Sequence, residues 1–198
     1  SYTGYGASVV PSFSLAVDFS GRQSKPGVFA DMTKILTVLS DILTRILNVS
    51  PINTMITVNL LVRKELNPFD LARLQYLRKS LRVNLSTTCT TSLIDIDNII
   101  SSADYYLGGG STSSVLAVHS GIRLSILYSV HSNTKWVTFS KIVADLGRNE
   151  CSHLNFVRVP DRSFTDSSTV VPLSVISSIV RHMRLSETFA SCNRAQES

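Results

Sequence analysis

The stretch that most invites a phosphate is Gly108-Gly109-Gly110-Ser111-Thr112-Ser113-Ser114, three glycines followed by four small hydroxyl residues. Such a run cradles an anion when a strand leads into it and a helix leads out, so that amide hydrogens converge on one point. The apolar spacing around it reads the other way. Residues 92–107, with Ile96, Ile99, Ile100 and Ala103 on one stripe, predict a helix before the glycines, and residues 115–118 predict a strand after them. No lysine follows the glycines. The sequence therefore favours a flexible connector.

Other reactive side chains are scattered. His119 and His131 flank an alternating segment, while His153 and His182 stand elsewhere. No histidine pair has helical i, i+4 spacing, and Cys151-x-His153 is isolated, so a four-ligand zinc site is not expected. No Gly-x-Ser-x-Gly elbow is present, and Asp95 and Asp97 fall where a helix start would use them as caps. These residues assign no catalytic group, metal or cofactor. The expectation is a protein that is not an enzyme.

Positive charge is densest at residues 73–82, where Arg73, Arg78, Lys79 and Arg82 fall on or just beyond one helix, and Arg22 with Lys25 forms a second patch. Glu65 and Asp70 precede the cluster and no acid follows before Asp95. Four unpaired cations are too costly to bury, so they must meet water or a counter-charge. RNA phosphates and anionic lipid headgroups would both answer them, the latter at about 1 kcal/mol per cation. The net charge of +5 and the isoelectric point near 9.3 point the same way.

A chain of 198 residues suits a single domain with a sizeable core. It is 43% hydrophobic and only 17% charged, a weakly self-repelling composition that favours assembly with copies of itself. Three widely spaced cysteines make no disulfide framework and suit a reducing compartment. No apolar run approaches the roughly 20 residues of a membrane span, and the first residues show no secretory leader.

The elements that must position any site follow from periodicity. Residues 115–131 read as a hairpin: an apolar run, the turn signal Ser120-Gly121, then Ile122, Leu124, Ile126, Tyr128 and Val130 at period two. Strands are also expected at 12–20, 54–63, 81–86 and 153–159. In the last, Val157 and Val159 face away from Leu154 and Phe156. Helices are expected at 28–47, 67–80, 138–146 and 172–185, the second opened by Asn67 as cap and Pro68 at the first position. The fold class so read is α+β: a mainly antiparallel sheet covered on one side by helices 28–47 and 172–185. Residues 12–185 form the core domain and 186–198 a polar tail. Residues 1–11 form an extended arm whose Tyr2, Tyr5, Val9, Val10 and Pro11 would mediate self-association.

The order of strand 12–20, basic loop, long amphipathic helix 29–47 and, much later, segment 117–130 resembles the core of rhabdovirus matrix proteins. The resemblance implies a self-assembling virion protein without an active site. It would join the nucleocapsid to the inner face of the host membrane from the cytoplasm, with nucleocapsid or RNA, an anionic membrane surface and further copies of itself as partners. An RNA-packaging capsid protein and an enzyme of undetected type are the rival expectations.

Overall fold

The computed structural model describes residues 10–20, 29, 31–129, 134–147, 150–160, 168 and 170–194. The alternation of Phe13, Leu15 and Val17 gives β1 (Ser12–Asp18), and the amphipathic stripe that follows gives α1 (Met32–Val49). Asp31 opens α1 by accepting the Lys34 amide at 2.8 Å. Next come β2 (Met55–Val62) and α2 (Pro68–Leu81), the latter capped by Asn67 as its sequence predicts, with the Asp70 amide 2.8 Å from Asn67 Oδ1. Then follow β3 (Asn84–Cys89), α3 (Leu93–Ser101), β4 (Tyr105–Gly109), α4 (Thr112–Ser120), β5 (Arg123–Tyr128) and α5 (Thr134–Gly147). The chain continues through β6 (Leu154–Arg158) to α6 (Leu173–His182) and α7 (Leu185–Arg194), whose helix occupies the expected polar tail.

The strands form one six-stranded sheet in the order β3-β2-β1-β4-β5-β6, and every pairing is parallel. The expected antiparallel α+β fold is thus overturned: the chain is a doubly wound, Rossmann-like α/β fold. Two misread segments account for the difference. Residues 112–120 are helix, and Gly121 stands past their end at φ 76°, so Ser120-Gly121 marks a helix stop in the left-handed region that glycine adopts without strain. Residues 105–107, expected to finish a helix, and Gly108 and Gly109, expected to belong to a connector, are instead a strand buried at every position. A parallel strand covered on both faces shows no alternation, and its apolar run resembles helix.

Both faces of the sheet are covered. Phe13, Leu15, Val17, Ile56, Val58, Leu60 and Leu107 face α1, α2, α6 and α7. Ala16, Leu61, Tyr106, Leu124 and Ile126 face α3, α4 and α5. The helices expected over one side do share a face, but the opposite face carries its own layer. The split along β6, with Val157 in one core and Phe156 against the other, belongs to this two-sided burial.

One buried polar chain crosses the first of these layers. Asn155 Nδ2 donates to Ser125 Oγ at 2.9 Å, Ser125 Oγ lies 2.5 Å from the Tyr105 hydroxyl, and that hydroxyl lies 2.8 Å from His182 Nδ1. His182 Nε2 is 2.9 Å from the Ser152 carbonyl, which can only accept. That contact puts the imidazole proton on Nε2, and the remaining bonds then run one way, Asn155 to Ser125 to Tyr105 to His182. Burial raises the Tyr105 hydroxyl's pKa far above its usual value and keeps it a donor. Burial also holds His182 below its ordinary value, against the Ser152 carbonyl, and Arg123, Arg184 and His153 add to the depression. A folded-state pKa below the unfolded one leaves stability complete above about pH 6.5. Stability is lost as pH falls from there toward the depressed value, because only the unfolded chain takes up the proton. His182→Gln should flatten this limb of a urea-unfolding series between pH 7 and 5; an unchanged slope would assign the titration to another group.

Candidate functional site at the carboxyl ends of β1 and β4

The sheet order reverses between β1 and β4. From β1 the chain leaves through α1 on one face, and from β4 through α4 on the other. Helices departing to opposite sides leave a crevice outside the strand ends, the usual ligand position in open α/β sheets. The register pairs Asp18 with Gly108 at this point. Gly108, Gly109 and Gly110 therefore have a strand before them and the helix of Thr112–Ser120 after them. This is the arrangement the sequence reading had denied them.

Buried hydrogen bonds hold the crevice in shape. Asp18 is 2% exposed. Its Oδ1 accepts from the Ser20 amide at 3.0 Å and from Ser20 Oγ at 2.5 Å, while Oδ2 accepts from Ser113 Oγ at 2.5 Å. One carboxylate thus joins the end of β1 to the first turn of α4, where the helix dipole favours negative charge. Ser20 Oγ in turn accepts from Arg63 Nε at 3.2 Å, reaching across from the end of β2. In the same turn Ser114 Oγ accepts the Ser111 amide at 3.0 Å and lies 3.1 Å from Ser140 Oγ on α5. A capping box takes up the Ser111 and Ser114 amides; the amides of Thr112 and Ser113 have no partner within the helix and are the ones offered to a ligand in the crevice.

Tyr106 lies beneath the loop. Its hydroxyl is wholly buried beside Ser111 and finds no hydrogen-bond partner of good geometry. Burial, and after it the nearby Asp18 carboxylate, raises its pKa well above the ordinary value. The Tyr106 ring reaches along the strand over Gly108. A Cβ on Gly108 would collide with the Tyr106 hydroxyl and with the Asp18 carbonyl oxygen. Glycine is required here by space.

A cavity of about 750 Å³ opens where Ser20 meets the carboxyl end of β2, between the starts of α1 and α2; residues 106–114 are not in its wall. Ser20 and Arg63 belong both to its wall and to the hydrogen-bonded chain, and Lys64, Asn67 and Asp70 line it farther out.

The basic residues singled out by sequence lie elsewhere. In a βαβ unit the helix runs against the strands, so the last turn of α2, with exposed Arg78 and Lys79, and Arg82 just beyond it, sit at the amino ends of the strands. Their charge there complements the helix dipole. Arg73 is half-buried, donates to Thr33 Oγ1 at 2.6 Å and stacks 5.7 Å from the Phe69 ring centre. Val10 is half-exposed, and the Pro11 carbonyl accepts the Met55 amide at 2.8 Å, continuing the β1–β2 pairing. Tyr2, Tyr5, Val9, Arg22 and Lys25 lie outside the described residues. Sequence reasoning missed Asp18, Ser20, Arg63, Tyr106 and Ser113. The signal for them was a short apolar run, Tyr105 to Leu107, set between Asp104 and the glycines.

No family model and no curated protein matches this sequence. Among solved structures, a mutant O-GlcNAc transferase from Thermobaculum terrenum superposes on 92% of the chain with a TM-score of 0.50 and 15% identity. The match takes in 31% of that enzyme, so the chain spans less than a third of its length. A protein of Listeria monocytogenes described as a UDP-N-acetylglucosamine 2-epimerase gives TM-score 0.46 and 11% identity over 87% of the chain and 40% of its own. A GtfA/B complex gives 0.47 and 10% over 92% and 32%. The first likeness shows the fold. Two expectations fall with it, the matrix-type structural role and the absence of enzymatic character. The fold is one that an enzyme uses, and the antiparallel hairpin behind the matrix resemblance is absent.

Asp18→Asn and Ser113→Ala should each lower stability by about 1–3 kcal/mol in urea unfolding. The double variant should cost clearly less than the sum, because the two share one bond; strict additivity would show that the bond does not tie β1 to α4. Gly108→Ala should cost about 1–3 kcal/mol by overpacking, and Gly108→Ala/Tyr106→Phe should recover part of it.

Proposed function

We propose that this chain is the nucleotide-binding part of an enzyme acting on a nucleoside-diphosphate sugar. The observation that carries the reading is the glycine loop between β4 and α4, set at the switch point with the first turn of α4 pinned by Asp18. The Thr112 and Ser113 amides, which the capping box leaves open, are reached over residues without side chains and fit the oxygens of a phosphate or diphosphate. The sugar enters from the likeness to a glycosyl-transferring enzyme of the same fold. An activated glycosyl donor is the ligand class that combines a diphosphate with a sugar.

Dinucleotide enzymes also use this strand order, and the placement of glycines argues against that reading. Its G-x-G-x-x-G fingerprint belongs in the turn after β1, where this chain reads Ser20-Gly21-Arg22-Gln23-Ser24-Lys25-Pro26-Gly27. The acid expected at the end of β2 for a ribose is replaced by Arg63-Lys64.

Thermal unfolding of the full chain with UDP, GDP, ADP, inorganic pyrophosphate, uridine and NAD⁺ tests the reading. At least one nucleoside diphosphate should raise the midpoint, more than uridine does, and by an amount that shrinks with added salt. A ligand at 100 times its Kd adds about 2.7 kcal/mol. A response to NAD⁺ alone, or to no diphosphate at millimolar concentration, would overturn it.

A further inference from the structure

We infer that Arg63 is the cation that makes the crevice accept a diphosphate, an assignment that rests on the nucleotide-binding reading above. The reason is a conflict of charge. Asp18 places a buried carboxylate against the helix start where the ligand's oxygens would lie. Like charges at such range repel, and low dielectric strengthens the repulsion. Phosphate binding there needs a positive charge within reach that Asp18 has not already consumed.

Arg63 meets that condition. It makes no ion pair among the described residues and does not touch Asp18; its Nε is spent on Ser20 Oγ, and Ser20 stands between the two charges. The guanidinium is thus aimed by a single bond at Nε, and no protein acceptor engages its two terminal nitrogens among the described residues. It lines the cavity where Ser20 meets the carboxyl end of β2. Two parallel N–H groups in a rigid fork match two oxygens of a phosphate, a fit that lysine's point charge does not reproduce. The other charged groups on that wall suit this role less well. Asp31 already accepts the Lys34 amide, Glu65 and Asp70 are anionic, and Lys64 is exposed. The strand positions supply the geometry: Arg63 immediately follows β2, next to β1, whose end pairs with Gly108 of the loop.

Ser20 then acts as a positioning residue, holding the fork toward the cavity. It also passes part of the guanidinium's polarity to Asp18.

The test is calorimetric titration of the full chain with inorganic pyrophosphate, UDP and NADP⁺, for wild type, Arg63→Met, Arg63→Lys and Ser20→Ala, with thermal unfolding of each unliganded variant as a control for folding. Loss of a charge-assisted bidentate contact should weaken pyrophosphate and UDP about 10- to 100-fold in Arg63→Met. Arg63→Lys should recover only part of the affinity, and Ser20→Ala should fall between wild type and Arg63→Met. Folded Arg63→Met that binds both ligands as wild type does would overturn the assignment and leave the nucleotide-binding reading standing. Wild type that binds neither would overturn both. Arg63 dependence seen with NADP⁺ but not with pyrophosphate or UDP would move the fork to a ribose phosphate and overturn the assignment as stated.

Discussion

Six parallel strands cannot be joined by tight turns, and much of this molecule follows from that. Each connection must return from one end of the sheet to the other, and the helix that does so must lie on a face. With α1 and α2 on one side and α3, α4 and α5 on the other, β1 and β4 become the place where the chain parts in two directions. The crevice is a by-product of covering both faces. Its chemistry comes from what stands at two adjacent strand ends: a carboxylate on one and glycines on the other.

Amphipathic elements were readable from residue types alone. The stripe Ile35, Leu39, Ile42, Ile46 reads as a helix lying on a core in preference to a membrane surface, and Asn67-Pro68 as the opening of another helix. Alternation in β1 and β2 was legible because each strand has residues that meet less crowded surroundings, such as half-exposed Ser14 and exposed Thr57. The central strand β4 was not legible. Tyr105, Tyr106 and Leu107 are all at 0% exposure, so the pattern that separates strand from helix is erased where the sheet is deepest. That loss, together with the reading of helix Thr112–Ser120 as a strand, reversed the order of elements around Gly108–Gly110 and turned a strand–loop–helix into a connector. The candidate site is therefore hidden in the sequence by the fold's best-buried strand, although the glycines of its loop stand out. Asp18 and Ser113 lie 95 residues apart, and no local pattern could have joined them.

Charge tells a similar story. Of the densest basic segment, Arg73 to Arg82, the exposed Arg78, Lys79 and Arg82 stand at the amino ends of the strands, where their charge complements the dipole of a helix end. The cation that bears on the crevice, Arg63, has one basic neighbour in sequence and gains its setting from three strand ends. Density of charge along a sequence thus failed to locate it; proximity to an uncompensated buried carboxylate did so.

The separation between Asp18 and Ser113 also has a temporal side. β1 is the first strand among the described residues, yet its β4 neighbour lies almost 90 residues later, and Ser14 and Asp104 bond across a gap of 90 residues. Contacts of such reach are the slow ones, since a long loop must close before any of them is repaid. On a ribosome, β1 waits through the synthesis of two βα units before its second edge is filled. Until then, that edge is a row of unpaired backbone groups open to wrong partners. The crevice comes into being at the same moment that edge of β1 disappears, so a chain able to hold a ligand there has already closed the edge that its sequence leaves open longest.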